Sequence, residues 1–420
     1  MEKAISLFFS LLFISSGLTF AQKKGMTIQI DGKSQHYLTI GTEDRKLGQP
    51  LVIFESGLGT NLETWHRVIS ELGETTPVFA YDRAGIGQSE AMEEVPTPEN
   101  RTKQLKALLD KLELTPPYIL VGQAWGGILI KDFASTYPQD IEAMIYIDPI
   151  NQSTQKQKMV SLLEKAGLEG ERIAASYFKI KEDQLKYSPK GIRSEAKVLL
   201  DFETGEISNS SLYDYPRKPS VIIAGGMKSE IMFDPSSPLA EEFKDLNLIL
   251  QADRIGEFTQ QTMKNSNSEM VLVSQSAQFF TFQEPEKLAS IISFRYLNNP
   301  SKKIVQAAER YSTEEFQEYL DGLLAYFPKN KIPETIINGL GYDQLRRDKP
   351  EYAFVLFQYN VDRFPNSANV YDSMGDGLVA LGKAKEAVPY FEKAVKMGEV
   401  SKHNDLELFK KNLANAKVEK

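Results

Sequence analysis

The chain has 420 residues, 41% of them hydrophobic, enough for one large domain and a smaller one, because single cores stop growing near about 250–300 residues. Its 49 basic and 57 acidic residues leave a net charge of −8 with neither an acidic tail nor a basic cluster, which argues against nucleic acid and anionic membrane as partners. No cysteine is present, which excludes disulfides, thiolate chemistry and lipid attachment through a cysteine.

Residues 1–21 pair a charged start (Glu2, Lys3) with an apolar run that ends in Thr19-Phe20-Ala21, the pattern of a secretory signal peptide cleaved before Gln22. The run is short for a membrane span and is broken by Ser10, Ser15, Ser16 and Gly17, so no stable membrane anchor is expected. The expected location is a bacterial periplasm or the outside.

From Met26 to about Asp148, short apolar runs alternate with helical patterns, which predicts a mostly parallel sheet with crossover helices. Strands are expected at MTIQI, HYLTI, PLVIFE, PVFAYD, YILVG and AMIYID, and helices at Leu62 to Leu72, Glu99 to Leu112 and Ile128 to Tyr137. The next strand, PSVIIAGG, starts only at Pro219, so about 151–218 forms a helical cap insertion with Met159, Leu162, Leu163, Ile173, Ala174 and Tyr177 on its apolar faces. EMVLVS and the helix EPEKLASIISFRYL close a first domain over 22–298.

Residues 299–330 read as a helical linker, in which Ser312 and Glu315 form a capping box ahead of Phe316, Tyr319, Leu320, Leu323, Leu324 and Phe327. Over 331–420 a repeat appears. Leu340, Gly341, Ala353 and Phe357 return as Met374, Gly375, Ala387 and Phe391, each 34 residues later. Period and residue types resemble the tetratricopeptide repeat, whose small residues let two helices approach while large ones fill the gap. Pro365 closes one repeat, Glu399 stands in the corresponding place of the next, and Pro389 inside the last helix is expected to kink it. Two repeats need caps, for which the helix at 312–327 and a terminal helix with Leu406, Phe409 and Leu413 are the candidates.

Four motifs in chain order carry a second resemblance: FESGLG (54–59) with Trp65 downstream, YDRAGIGQS (81–89), VGQAWGG (121–127) and IYIDP (145–149). Together they resemble the α/β-hydrolases over roughly Met26 to Asn298. The resemblance implies a nucleophile on a sharp strand-to-helix turn, a histidine that takes and returns its proton, a carboxylate that holds the histidine, and backbone N–H groups facing the developing oxyanion.

The turn glycines Gly122, Gly126 and Gly127 are present, but Ala124 stands at the nucleophile and Gln123 where many relatives carry histidine. Aligned on Pro285, the base position falls on Gln278, whose amide has no usable pKa near neutrality. Glu230 or Asp148 is the candidate acid, Asp148 also being a plausible turn residue before Pro149. The three histidines, His36, His66 and His403, read as structural, and Ser56, Ser274 and Ser276 lack a base within reach of the sequence.

Loss of nucleophile and base together costs about a millionfold in turnover. The chain therefore reads as an exported pseudo-hydrolase with a repeat unit that docks a protein or peptide partner or the scaffold itself. What survives is a pocket of neutral donors, the backbone N–H groups of Leu58 and Trp125 with Gln123 and Gln278 around Ala124, suited to a small carbonyl or carboxylate ligand. The alternatives are a collapsed site filled by Trp125 and Phe279, an active hydrolase of esters, amides or lactones with a non-standard constellation, and a small-molecule sensor. No cofactor is expected, and no His/Cys/carboxylate cluster has metal-ligand spacing.

Overall fold

The structure, a computed structural model, describes residues 25–45, 47–72, 76–207, 214–225, 240–273, 280–297, 300–325 and 332–418. The expected signal peptide at 1–21 lies outside the described residues. Among those described, no helix is long and apolar enough to cross a membrane.

Eight strands form one sheet: β1 (Met26–Ile30), β2 (Lys33–Ile40), β3 (Leu51–Glu55), β4 (Val78–Tyr81), β5 (Tyr118–Gln123), β6 (Ile141–Ile147), β7 (Ser220–Gly225) and β8 (Ser268–Val273). Their spatial order is β1-β2-β4-β3-β5-β6-β7-β8, with β1, β2 and β4 antiparallel to their neighbours in turn and β4 through β8 parallel. The central strands read as unbroken apolar runs because both faces are covered. Val52, Phe54, Ile119, Val121, Ile145 and Ile147 pack on Trp65, Val68 and Ile69 of one layer, while Ile53, Phe79, Leu120 and Tyr146 meet Leu105, Leu109, Ile130 and Phe133 of the other. The first layer holds α1 (His66–Leu72), preceded by a 3₁₀ turn at Leu62–Trp65; the second holds α2 (Pro98–Lys111) and α3 (Trp125–Thr136).

Strand order reverses direction between β3 and β5. That reversal opens a crevice at the carboxyl ends of the two strands. The register pairs Glu55 with Gly122 and Gln123 with Ile147, so the loops leaving β3, β5 and β6 emerge side by side.

Between β6 and β7 the cap supplies α4 (Lys156–Lys165), α5 (Gly170–Leu185) and α6 (Lys190–Thr204). A 25-residue helix, α7 (Ala240–Lys264), then leads from β7 to β8 and was not foreseen from the sequence. Its apolar residues form no single stripe, because Phe243 and Leu246 pack in the cap with Met159, Ile173 and Tyr177 whereas Phe258 packs beneath the sheet. A helix that changes partners along its length loses its 3.6-residue period.

Beyond β8 follow α8 (Phe280–Gln283), α9 (Pro285–Leu297), α10 (Pro300–Arg310) and α11 (Thr313–Ala325), then α12 (Glu334–Arg346), α13 (Pro350–Arg363), α14 (Ala368–Ala380), α15 (Ala384–Ser401) and α16 (Leu406–Val418). α9 returns to the sheet, with Leu288 and Ile292 in the α1 layer. The capping box forms at α11: Ser312 N–H donates to Glu315 Oε2 (2.9 Å) and Glu315 N–H to Ser312 Oγ (3.3 Å). α10 and α11 share a core with α12 and α13 through Ile304, Phe316, Leu320, Ile337 and Leu356, so this stretch is itself a packed helical pair. A β-carbon on Gly341 would overlap the ring of Phe357, and one on Gly375 the ring of Phe391, so the same contact recurs in α12/α13 and α14/α15. α15 runs on through Pro389. The helical unit rests on the sheet domain where Tyr319 covers Gly48 and Lys303 Nζ pairs with Glu142 (3.3 Å).

Candidate functional site

One residue separates β5 from α3. Ala124 holds φ +46° and ψ −109°, a backbone conformation that costs a non-glycine residue about 1–3 kcal/mol and persists only where the surroundings enforce it. Three hydrogen bonds do so: Ala124 N–H to Ile147 O (2.9 Å), Gly127 N–H to Ala124 O (3.0 Å) and Ile150 N–H to Ala124 O (3.3 Å). Gly126 lies so close to β3 that a β-carbon would overlap the Glu55 carbonyl oxygen and approach that of Ser56 to 2.7 Å. The turn thus presents residue 124 at the crevice, where its methyl group is partly exposed.

Facing it is the loop after β3, whose orientation is set by Arg83. Nη1 of Arg83 donates to Ser56 O (2.7 Å) and Nη2 to Gly57 O (2.7 Å). In a trans peptide the C=O and the following N–H point in opposite directions, so pinning the Gly57 carbonyl on Arg83 turns the Leu58 N–H away from it. Neither Leu58 N–H nor Trp125 N–H has a backbone partner among the described residues. Gln123, buried at the end of β5, carries its Oε1 to 3.9 Å from the position a β-carbon on Gly57 would take.

Arg83 belongs to a buried charge network that sequence reasoning missed. Its Nε and Nη2 grip Glu195 of α6 at 2.7 and 2.8 Å, and Nη1 reaches Glu55 Oε1 at 2.9 Å. Arg101 of α2 pairs with the same Glu195 (2.9 Å), and the Tyr81 hydroxyl donates to Glu55 Oε2. Burial works against the Glu195 carboxylate, but the Arg83 and Arg101 guanidiniums together more than offset it and hold Glu195 below the usual carboxylate range. Burial prevails at Glu55, whose pKa is raised despite the Arg83 guanidinium. Glu55 and Arg83 stood inside the motifs FESGLG and YDRAGIGQS; Glu195 and Arg101 sit in charged helical stretches where nothing distinguishes them from solvent-facing residues.

The network fixes α6 as a roof over the turn. A β-carbon on Gly191 would overlap the Gly85 carbonyl, so backbone meets backbone there, and Ile192 covers Gly59. Farther along, Val198, Leu199 and Phe202 pack on Trp125, Ile128 and Leu129, with Leu58 and Ile150 at the margin. Trp125 is 1% exposed, and its Nε1 has no hydrogen-bond partner among the described residues. The indole therefore fills part of the space beneath the roof, next to the partly exposed Leu58 and Ala124.

The remaining candidates are held elsewhere. His36 Nδ1 lies 2.8 Å from Asp82 Oδ2, and the same carboxylate accepts the N–H groups of Leu62 (2.9 Å) and Gln88 (2.8 Å). Burial lowers the pKa of His66, whose charged neighbours are Glu63, His36 and Asp82. His403 stacks near Phe409 and accepts the Asp405 N–H at 3.2 Å. Asp148 joins strands: its Oδ1 accepts Gly225 N–H (2.9 Å) and pairs with Arg254 (3.2 Å). Ser56 Oγ accepts the indole N–H of Trp65 (2.9 Å) and donates to Asn61 O (3.2 Å). Glu230, Ser274, Ser276, Gln278 and Phe279 lie outside the described residues.

Residues 50–169 match the family model of the alpha/beta hydrolase fold. Over 124 residues the chain is 33% identical to the uncharacterized protein YqjL of Bacillus subtilis (strain 168), covering 29% of this chain and 47% of that protein. Over 180 residues it is 27% identical to an AB hydrolase superfamily protein of Gibberella zeae, covering 42% and 52% respectively. A solved probable hydrolytic enzyme from Pseudomonas aeruginosa PAO1 is 15% identical with a TM-score of 0.46, covering 66% of this chain and 96% of that one. The chain spans about half the length of the curated relatives it matches.

Proposed function

We propose that this chain, an alpha/beta hydrolase fold protein by its residues 50–169, is an exported binding protein without serine-hydrolase turnover. The observation that carries the reading is Ala124 at the apex of the β5–α3 turn: the strained backbone that presents a nucleophile is kept, and the side chain there has no heteroatom. His36 Nδ1 faces Asp82 and His403 Nδ1 accepts the Asp405 N–H, which supports a site in which these two imidazoles do not serve as the base. Without nucleophile and base, what an oxyanion-type site and binding alone contribute is about 10³–10⁴ over water.

In this reading the ligand is a small carbonyl or carboxylate compound, its oxygen facing the N–H groups of Leu58 and Trp125, with Gln123 beside it. The helices from α12 onward are two tetratricopeptide-type repeats, a reading supported by the duplicated Gly341–Phe357 and Gly375–Phe391 contacts, and they take a protein or peptide partner. The retained N–H pair also favours a second reading, an ester, amide or lactone hydrolase with a non-standard nucleophile, because those groups are what acyl transfer needs.

A fluorophosphonate probe and an activated p-nitrophenyl ester separate the two readings. Binding alone predicts no covalent label and no acyl-enzyme burst, with turnover no greater than about 10³–10⁴ over water, in the natural chain and in Ala124→Ser alike, since a serine without a base stays protonated. Stoichiometric labelling of the natural chain would establish the hydrolase instead.

A further inference from the structure

β8 ends the sheet, and among the described residues its strand neighbour is β7 alone. Ser220 N–H of β7 donates to Asn267 O (3.1 Å). In a parallel ladder a residue turns its N–H and C=O the same way and the next residue turns both the other way. Residues 267, 269, 271 and 273 therefore serve β7, while Ser268, Met270 and Leu272 turn their backbone outward. Water satisfies such an edge, so the backbone by itself selects no partner.

The side chains do. Leu272 is 52% exposed, and Met270, on the same face of the strand, packs only partly on the core. Met263 of α7 is 81% exposed and stands one helical turn beyond Thr259, whose hydroxyl reaches the Met270 sulfur at 3.6 Å. Three large apolar side chains thus gather on one face of the edge. The strand carries a single charge, Glu269, where soluble proteins ordinarily cover an edge or break it with charge.

We propose that β8 pairs with β8 of a second copy of this chain, antiparallel about a two-fold axis at Val271, so that one sheet runs through a dimer. The strand is its own complement in that register. Met270 faces Leu272 of the second copy, both turn outward, and each such pair exchanges its two backbone hydrogen bonds. Glu269 falls opposite Val273, so no like charges meet. An axis at Glu269 sets two carboxylates face to face, and one at Met270 opposes Leu272 to Ser268, whose N–H is already given to Asn265 O (2.9 Å). A second copy offers the same match from both sides and covers both edges at once. With the axis perpendicular to the sheet, the carboxyl ends of the two sets of strands point opposite ways, and both crevices at Ala124 stay clear of the seam.

The chain has no cysteine, so Val271→Cys in the purified full chain introduces the only thiol. Facing residues of a non-hydrogen-bonded pair have Cα atoms about 4.5 Å apart, within disulfide range, so mild oxidation should convert most of this variant to a covalent dimer that reductant dissolves. Lys103→Cys, on the exposed face of α2, is the control and should stay largely uncrosslinked. The natural chain should sediment at twice the mass of the chain. Leu272→Lys should halve that mass with an unchanged circular dichroism spectrum, and so should Met270→Pro, which removes an outward N–H and no bond to β7. A natural chain that sediments as a monomer overturns the proposal. So does a dimer that survives Leu272→Lys while Val271→Cys crosslinks no better than the control, because that dimer uses another surface.

Discussion

Arg83 and Glu195, 112 residues apart in the chain, meet in a two-pronged ion pair of 2.7 and 2.8 Å that joins the end of β4 to the cap helix α6. Both side chains are almost wholly buried. The same guanidinium carries the Ser56 and Gly57 carbonyls, so one residue sets both the floor and the roof of the crevice.

Removing one partner of such a pair leaves the other charge buried and uncompensated. Glu195→Ala should therefore cost about 3–5 kcal/mol in urea unfolding. Lys103→Ala, which removes an exposed, solvent-screened pair with Glu99, should leave the urea midpoint nearly unchanged. Equal losses for the two would mean that the network does not hold the cap.

Ala124→Gly should stabilise the chain by about 1 kcal/mol, because glycine tolerates the positive φ that strains alanine there. The gain should appear as a higher urea midpoint at unchanged m-value. A loss of stability would indicate that the Ala124 methyl packs usefully enough to outweigh its strain.

Lys131 on α3 is 1% exposed, its Nζ lies 3.6 Å from the ring centroid of Tyr215, and it has no hydrogen-bond acceptor among the described residues. Burial pushes its pKa down to about 7, against the opposing pull of Glu257 and Asp214. Between about pH 7 and the ordinary lysine value near 10.5 the unfolded chain binds a proton that the native chain does not, so stability rises with pH across that window. Below pH 7 the penalty is fully present. Lys131→Met should accordingly stabilise by at least about 2 kcal/mol at pH 6 and by little at pH 10.5, as read from denaturant midpoints at the two pH values.

Asp372 on α14 behaves in the opposite sense. Burial and the nearby Asp376 raise its pKa to about 7, with Asn412 partly countering. The native chain then holds a proton that the unfolded chain releases between about pH 3.8 and 7, and this contribution strengthens folding as pH falls through that range. Asp372→Asn should remove the dependence and stabilise the helical unit above pH 7, measured by the thermal midpoint of the full chain.

In the repeats, Gly341→Ala and Gly375→Ala each force a β-carbon into a phenylalanine ring and should cost similar amounts, about 1–3 kcal/mol. Far unequal losses would show that the duplicated sequence does not carry duplicated packing.

Much of this architecture can be read along the chain. Runs such as Leu51–Glu55 and Tyr118–Gln123 announce themselves as strands because they are buried on both faces, and the capping box at Ser312 and Glu315 forms as written because its partners are three residues apart. α7 could not be read that way, since its apolar residues serve the cap at Phe243 and the sheet at Phe258. Local order leaves a local pattern. A helix divided between two cores leaves none.

The sequence by itself determined that residue 124 has no hydroxyl, that only three imidazoles exist, and that Gly122, Gly126 and Gly127 can make the turn. Tertiary structure alone decided that Ala124 takes the strained conformation at the crevice, that His36 is committed to Asp82, and that α6 is locked above by Arg83 and Glu195. The physical reason is range. Composition and turn chemistry are properties of neighbours in the chain, whereas a buried ion pair spanning 112 residues exists only once desolvation and packing have brought its two charges together.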